Sequence, residues 1–224
     1  MIEEVIIVSG FACCGKTTFL RALLGEAWPI LASELSIDLR EPWTVCNSAW
    51  LARLTEQGAG PHRAMLEYGI LRRETPAWEQ DPLLESLLRD ASRVLFLVVW
   101  CEPEELARRI RRRAVRRVLK APVRLFRKAA SSSDASSVRW RLGLPGSPSL
   151  ATRLHALVRD ELSVCGTHRR ICLRYPNLLS DIYRRWTLFV AKHADADIRI
   201  VDVTREPPKL ITLEAGWPFV EEEA

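Results

Sequence analysis

The sequence predicts an α/β fold, a mostly parallel five-stranded sheet with helices on both faces and an arginine-rich helical insert, on three observations. Val5-Ile6-Ile7-Val8 and Val94-Leu95-Phe96-Leu97-Val98-Val99-Trp100 are apolar runs without helical period, suited to strands buried on both faces, and Ile198-Arg199-Ile200-Val201-Asp202-Val203 is a third strand. Segments of helical spacing separate these runs, and such interleaving implies parallel pairing through right-handed crossovers. Finally, a glycine-bracketed loop joins the first strand to the first helix, beginning at Gly10.

In chain order, Phe19, Leu20, Leu23 and Leu24 recur at helical spacing over residues 17–27, with Gly25 closing the helix. Residues 29–33 read as a second, short strand, and a helix is expected over about 43–54, ended by Gly58-Ala59-Gly60-Pro61. Met65, Leu66, Tyr68 and Ile70 support a strand over 63–71, and a proline-led helix follows over 82–90. After the 94–100 strand, Glu104 and Glu105 fit the acidic first turn of another helix. Residues 129–148 are rich in Ser, Gly and Pro, which predicts a mobile loop. Helices are expected over 151–162 and over 177–193, the latter turning Leu178, Ile182, Trp186, Phe189 and Val190 inward. The whole chain, 1–224, reads as one domain with an insert over roughly 104–176.

Composition narrows the class. An apolar fraction of 48% with 27% charge and eight Trp excludes wholesale disorder and collagen-like sequence. The longest apolar run is far shorter than the roughly 20 residues of a membrane span, and Met1-Ile2-Glu3-Glu4 lacks the basic start of an export signal. Six cysteines, with Cys13 and Cys14 adjacent, do not resemble a secreted disulfide framework, so reduced thiols and a cytoplasmic location without membrane association are expected. The net charge of +5 hides 28 Arg against five Lys, and Arg favours planar contacts to phosphate or carboxylate. The segment 108–128, opened by Arg108 and closed by Lys128, holds eleven basic residues and no acid.

The loop reads G-F-A-C-C-G-K-T and matches G-x-x-x-x-G-K-[ST] between a strand and a helix, the context the motif requires. Gly10 and Gly15 permit a backbone that turns successive N–H groups inward around a polyphosphate, and Ala12, Cys13 and Cys14 keep the loop close to it. Lys16 then reaches the β- and γ-phosphates, Thr17 ligates Mg²⁺, and Thr18 completes the nucleotide-contacting set. Lys16 and the helix N-terminus are also expected to stabilise a thiolate at Cys13 or Cys14, although small fillers are the plainer reading of both. Cys165, His168 and Cys172 offer three zinc-ligand types without a nearby fourth, and read more simply as two half-buried thiols and a surface imidazole.

The G-F-A-C-C-G-K-T loop, a strand ending near an acid, and V-L-F-L-V-V-W followed by E-P-E-E-L-A-R-R-I-R-R-R together resemble P-loop kinases of the nucleoside- and nucleotide-kinase type. The resemblance covers about half the chain. It implies the three-layer P-loop NTPase fold and an ATP- and Mg²⁺-dependent kinase that transfers the γ-phosphoryl group to a hydroxyl or phosphate acceptor. It further implies a lid whose arginines, Arg109 and Arg113, close over the phosphates, and passage of the adenine beside residues 204–208. In such kinases a carboxylate near the end of the second or third strand takes the acceptor's proton. Asp38 is the first choice, with Glu34 and Glu67 as rivals, and Glu67 alternatively orders magnesium through water.

Alternatives stay open. The basic segment also suits nucleic-acid phosphates, which would make the acceptor a hydroxymethylated base in DNA. A regulatory ATPase is weakened because the strand over 94–100 ends in Cys101 rather than an acid, and no N-K-x-D string supports a GTPase. A P-loop sulfotransferase is a further possibility. Arg184 and Arg185 are candidates for an acceptor phosphate. The oligomeric state is not legible.

Overall fold

A computed structural model of the chain describes residues 2–25, 27–40, 42–47, 51, 61–70, 78, 81–123, 149–192 and 196–211. Six strands form one sheet in the order β2-β3-β1-β4-β5-β6. They are β1 (Glu4–Gly10), β2 (Thr44–Asn47), β3 (Arg63–Gly69), β4 (Arg93–Trp100), β5 (Ala196–Asp202) and β6 (Lys209–Ile211). The first five run parallel and β6 lies antiparallel on β5. The expected sheet is therefore correct in class but has six strands rather than five: the brief β2 and β6 carry no alternation long enough to announce themselves, and one expected strand is absent.

β1 and β4 are buried from Val5 and Val94 to their ends, which requires cover on both faces of the sheet. The chain leaves β1 to build β2 and β3 on one side, then crosses to the other side for β4 and β5. A crevice therefore opens at the carboxyl end of β1, where the strand order turns.

The helices are α1 (Lys16–Leu24), α2 (Pro29–Glu34), α3 (Pro82–Asp90), α4 (Pro103–Leu119), α5 (Leu150–Arg174) and α6 (Pro176–Ala191) among the described residues. Two sequence expectations are corrected here. Residues 29–33 form α2 rather than a strand: Pro29 sits in its first turn, and Leu31, Ala32 and Leu35 bury one helical face. Of the helix expected over about 43–54, residues 44–47 instead form the edge strand β2, in which Thr44 and Val45 are β-branched and only Cys46 is buried, whereas Leu51 is helical and residues 48–50 and 52–54 lie outside the described residues. Residues 58–60 and the expected mobile loop over 129–148 lie outside the described residues.

The strand expected from residue 63 is present as β3, and the helix over 82–90 is α3. Asp81 caps α3 by accepting the Leu83 N–H at 3.1 Å, and it also accepts the Tyr68 hydroxyl at 3.0 Å, which ties the helix to β3. The helix expected over 151–162 continues as α5 to Arg174, and α5 packs along α4, where Arg117 meets Glu161 at 2.8 Å. Tyr175 both ends α5 and precedes α6.

α6 brings the insert back to the sheet. Leu179, Tyr183, Trp186 and Val190 on its inner face are fully buried. Trp186 is the hub of an aromatic cluster, stacked on Tyr68 at 5.2 Å and edge-on to Trp78 at 5.6 Å and Phe96 at 5.9 Å. Among the described residues no helix is long and apolar enough to cross a membrane. Truncation of the hub by Trp186→Ala is expected to lower unfolding free energy by about 3–5 kcal/mol. Urea denaturation followed by circular dichroism measures it, and a loss within about 1 kcal/mol would show that the cluster does not hold α6 to the sheet.

Candidate functional site

β1 ends at Gly10, and the chain turns sharply into α1. A side chain at Gly10 has no room: an added Cβ would lie 2.6 Å from the Val99 carbonyl and 2.8 Å from the Cys14 sulfur. Gly15, which caps α1, has φ +113°, in the region that side chains avoid, and Cys13 adopts φ +69°. No side chain caps α1, so its first N–H groups have no partner from a capping residue and face the loop, the arrangement that suits an anion.

Lys16 is buried and directs its ammonium to the carbonyls of Gly10 at 2.9 Å and Phe11 at 3.0 Å. An ammonium has three donors, so one is left for a ligand. Thr17 donates its hydroxyl to Glu67 at 2.8 Å. Glu67 stands near the carboxyl end of β3, in register with Val8 of β1 and Asn47 of β2. The sequence analysis sought an acid on the strand over 94–100. The acid lies on the other neighbour of β1: Glu67, already a candidate for ordering magnesium, is brought beside Thr17 by the register of β3 with β1.

The loop is braced from behind by α6. The Tyr183 hydroxyl accepts the Phe11 N–H at 2.9 Å and donates to the Val99 carbonyl at 2.9 Å. Trp186 donates its indole N–H to Ser9 at 2.9 Å, and Ser9 donates to the Leu97 carbonyl. Both partners are buried, so each bond replaces one that water would otherwise make. Sequence reasoning placed Trp186 in the core but missed Tyr183 as a loop partner, because a contact 172 residues away leaves no local pattern.

Arg109 reaches the loop from α4. Its guanidinium donates to Glu105 at 3.0 Å, to the Cys14 carbonyl at 2.8 Å and to the Val203 carbonyl at 2.7 Å. It therefore clamps the loop to the segment following β5. Arg113 approaches the Cys13 sulfur at 3.4 Å.

Two clefts meet at the loop. The larger, about 960 Å³, is lined by Lys16, Thr17, Thr18, Asn47, Glu67, Gly69 and a run of cations on α4: Arg109, Arg112, Arg113, Arg116, Arg117 and Lys120. These six recur three and four residues apart, so one face of α4 is cationic where an ordinary helix would be apolar. The smaller cleft, about 410 Å³, is lined by Phe19, Trp28, Arg109, Val203, Thr204, Arg205, Glu206 and Pro208. Phe19 and Trp28 stack there at 5.7 Å. Ala12, Cys13 and Gly15 border the larger cleft, and Cys13 and Gly15 the smaller as well.

The predicted base is not in this assembly. Asp38 follows α2 at the opposite end of the sheet, near Trp43 and the first residues of β3 and β4, and it lines neither cleft. The length of β1 separates that end from the loop by roughly 20 Å. Asp38 is exposed and paired with Arg40 at 2.9 Å, whose hydrogen bonds hold its carboxyl down at about 2. Glu34 is exposed at the end of α2 and lines neither cleft.

The thiols also differ from expectation. Burial pushes the Cys14 thiol up despite the nearby Lys16, which accords with the small-filler reading of this position rather than a stabilised thiolate. Burial likewise pushes Cys101 up to about 12 and Cys172 up to about 11. Among the described residues no three His, Cys, Asp or Glu side chains are placed to hold a metal ion between them. His168 packs its ring against Phe11 at 5.2 Å, and Cys165 is half-buried while Cys172 is fully buried. Arg184 is exposed on α6 and, with Arg185, lines neither cleft.

No protein-family model matches the chain, and no curated protein matches it.

Two outcomes check the geometry. Asp38→Asn is expected to leave nucleotide binding unchanged, whereas Gly15→Ala forces a side chain into a backbone that avoids one and is expected to weaken it about tenfold or more. Fluorescence titration with a labelled ATP analogue reads both, and a loss with Asp38→Asn would restore that carboxylate to the site. In thiol labelling by iodoacetamide at neutral pH, Cys13 is expected to react well before Cys14 and Cys101, since it is half-buried and borders both clefts while they are fully buried with thiols pushed up by burial. Mass spectrometry of the labelled peptides gives the order.

Proposed function

We propose that the chain is a kinase of the P-loop type, cytoplasmic and dependent on ATP and Mg²⁺, that transfers the γ-phosphoryl group to a hydroxyl or phosphate oxygen of its acceptor. One observation carries this reading. The G-x-x-x-x-G-K-T loop sits at the turning point of the sheet with Thr17 bonded to Glu67, and the arginine face of α4 lies across the same cleft. The sheet order supports the reading, because β3 and β4 on either side of β1 open the crevice at the carboxyl end of β1 where the loop sits.

The smaller cleft takes the nucleoside of the donor: Trp28 and Val203, backed by the buried Phe19 and Pro208, offer apolar surface to a base, and residues 204–206 offer polar groups beside it. The loop amides and Lys16 then hold the polyphosphate, which brings the γ-phosphorus to the mouth of the larger cleft. There the acceptor oxygen forms a bond to that phosphorus as the bond to the bridging oxygen breaks. The released electron pair stays on ADP. Arg109 and Arg113 offset charge that spreads over the transferring oxygens.

Thr17 and Glu67 fit a magnesium ion by their chemistry. One hydroxyl and one carboxylate 2.8 Å apart suit an ion that keeps several waters and takes its remaining ligands from phosphate. When bound, the ion neutralises charge on the β- and γ-phosphates.

With Asp38 withdrawn, Glu67 is the sole carboxylate among the described residues lining the larger cleft. A phosphate oxygen is already anionic at neutral pH and needs no base, so the donor set favours the phosphate branch of the acceptor class. A second reading gains from the same site. Glu67 beside Thr17 supplies the acid whose lack counted against a nucleotide-dependent ATPase, so hydrolysis to free phosphate is the competing activity.

Transfer from γ-labelled ATP is the test. Lys16→Ala and Glu67→Gln are each expected to lower turnover by about 10²–10³ while the melting temperature changes little. Label is expected in an organic product when nucleosides, nucleotides, sugars, sugar phosphates and hydroxymethylated DNA are screened. Label found only as inorganic phosphate would make the chain a hydrolase. Adenosine bisphosphate bound in place of ATP would point instead to a sulfotransferase.

A further inference from the structure

We infer that Arg112, Arg116 and Lys120 form an anion-binding row for the acceptor, and that the acceptor is a small, non-aromatic molecule already carrying phosphate, such as a phosphorylated sugar or polyol. The inference rests on the kinase reading for the donor but names what the larger cleft takes.

The cationic face of α4 consists of two adjacent rows. In the first, every side chain has a protein partner: Arg109 binds Glu105 and the loop carbonyls, Arg113 meets Cys13, and Arg117 pairs with Glu161. In the second, Arg112, Arg116 and Lys120 are exposed, line the same cleft, and have no ion pair or hydrogen bond among the described residues. The spacing of four residues sets these cations one above another along roughly 12 Å of helix.

Like charges at this spacing repel, so the row works against the helix that carries it. Favourable interaction with the helix dipole accounts for the last turn, Arg116 and Lys120, but not for Arg112 in the middle of α4. A polyphosphate held at the loop does not account for it either, since Lys16, the loop amides, Arg109 and Arg113 already serve that group. A phosphate monoester brings roughly 1.5 to 2 negative charges and several acceptor oxygens, which is what forked guanidinium donors recognise.

The character of the walls narrows the molecule further. No aromatic side chain lines the larger cleft among the described residues, whereas Phe19 and Trp28 stack in the smaller one. A nucleobase therefore has its surface on the donor side. Asn47 and Thr18 offer the acceptor side only polar contacts, which suit hydroxyl groups.

Calorimetry on the full chain tests this. The probes are ribose 5-phosphate and glycerol 3-phosphate, with ribose and glycerol as uncharged counterparts and a single-stranded oligonucleotide as a polymer. Each is titrated with and without a non-hydrolysable ATP analogue and Mg²⁺. The phosphorylated probes are expected to bind about tenfold or more tightly than their counterparts, the scale of one charge-assisted hydrogen bond. The triple variant Arg112→Gln, Arg116→Gln, Lys120→Gln is expected to remove that margin while affinity for the ATP analogue stays within about twofold. Arg111→Gln, on the same helix but outside the cleft, is expected to change neither. If the triple variant does not fold, Arg112→Gln alone is read in the same way.

Equal binding of phosphorylated and plain probes overturns the inference. So does tighter, steeply salt-dependent binding of the oligonucleotide, or an equal loss of ATP analogue affinity in the triple variant. Failure of the analogue to bind the unmodified chain, with the row still binding sugar phosphate, would instead overturn the kinase reading and leave the row standing.

Discussion

For the chain to leave β1 and wrap its amides around an anion, the Phe11 N–H must abandon the sheet ladder while remaining buried. A buried donor without a partner costs about 1–3 kcal/mol, so this turn needs an acceptor from elsewhere in the molecule. The Tyr183 hydroxyl supplies it and passes its own hydrogen to the Val99 carbonyl, so that one phenol ties the loop to β4. The same carbonyl crowds Gly10, which explains why the first glycine of the motif tolerates no side chain. α6 must therefore sit where it does for the loop to exist, and Trp186, anchored on Ser9 and packed against Tyr68, Trp78 and Phe96, fixes it there. Because α5 runs into α6 at Tyr175 and packs along α4, the helix that carries the arginines is held to the element that shapes the loop.

Charge is distributed with the same economy. Glu105 and Glu161 are the acids that meet the α4 arginines among the described residues, and both engage the row that braces protein to protein. Glu105 orients Arg109, which is thereby free to bridge the Cys14 and Val203 carbonyls and so to close one wall shared by both clefts. Arg109 is accordingly a positioning residue for the loop. Its carbonyl contacts set the distance between the loop and residues 203–204, and that distance sets the width of the smaller cleft.

Much of this was legible in the sequence wherever one local pattern sufficed. The loop motif, β1, β3, β4, α3 and α6 follow from apolar runs, proline positions and helical spacing, and Thr17 with Glu67 was within reach because both were already singled out. Three features were not legible. Pro29-Ile30-Leu31-Ala32-Ser33 has the apolar content of a strand, and only its packing, with Leu31 and Leu35 on one face, makes it helical. Thr44-Val45-Cys46-Asn47 is too short for its period to be recognised, so Asn47 went unnoticed as a residue lining the cleft. Asp38 lies where a strand-end carboxylate belongs in linear order, yet the preceding segment is α2 rather than a strand, which puts it at the amino-terminal end of the sheet.

The division of α4 into a paired and an unpaired row bears on how donor and acceptor are brought together. Arg109 and Arg117 are held by partners on the loop, α4 and α5 and Arg113 rests against Cys13, so the charges of Arg109 and Arg117 are already in place before any ligand arrives, which is the condition under which fixed charges stabilise a transition state without reorganising. Arg112, Arg116 and Lys120 keep long, solvated side chains, and a ligand that orders them must overcome their lost freedom with several charge-assisted contacts at once. Weak anions fail that demand and multiply charged ones meet it. Under the proposed kinase reading, selection between acceptors belongs to the unpaired row and acceleration to the paired one, two tasks carried by neighbouring residues on a single helix.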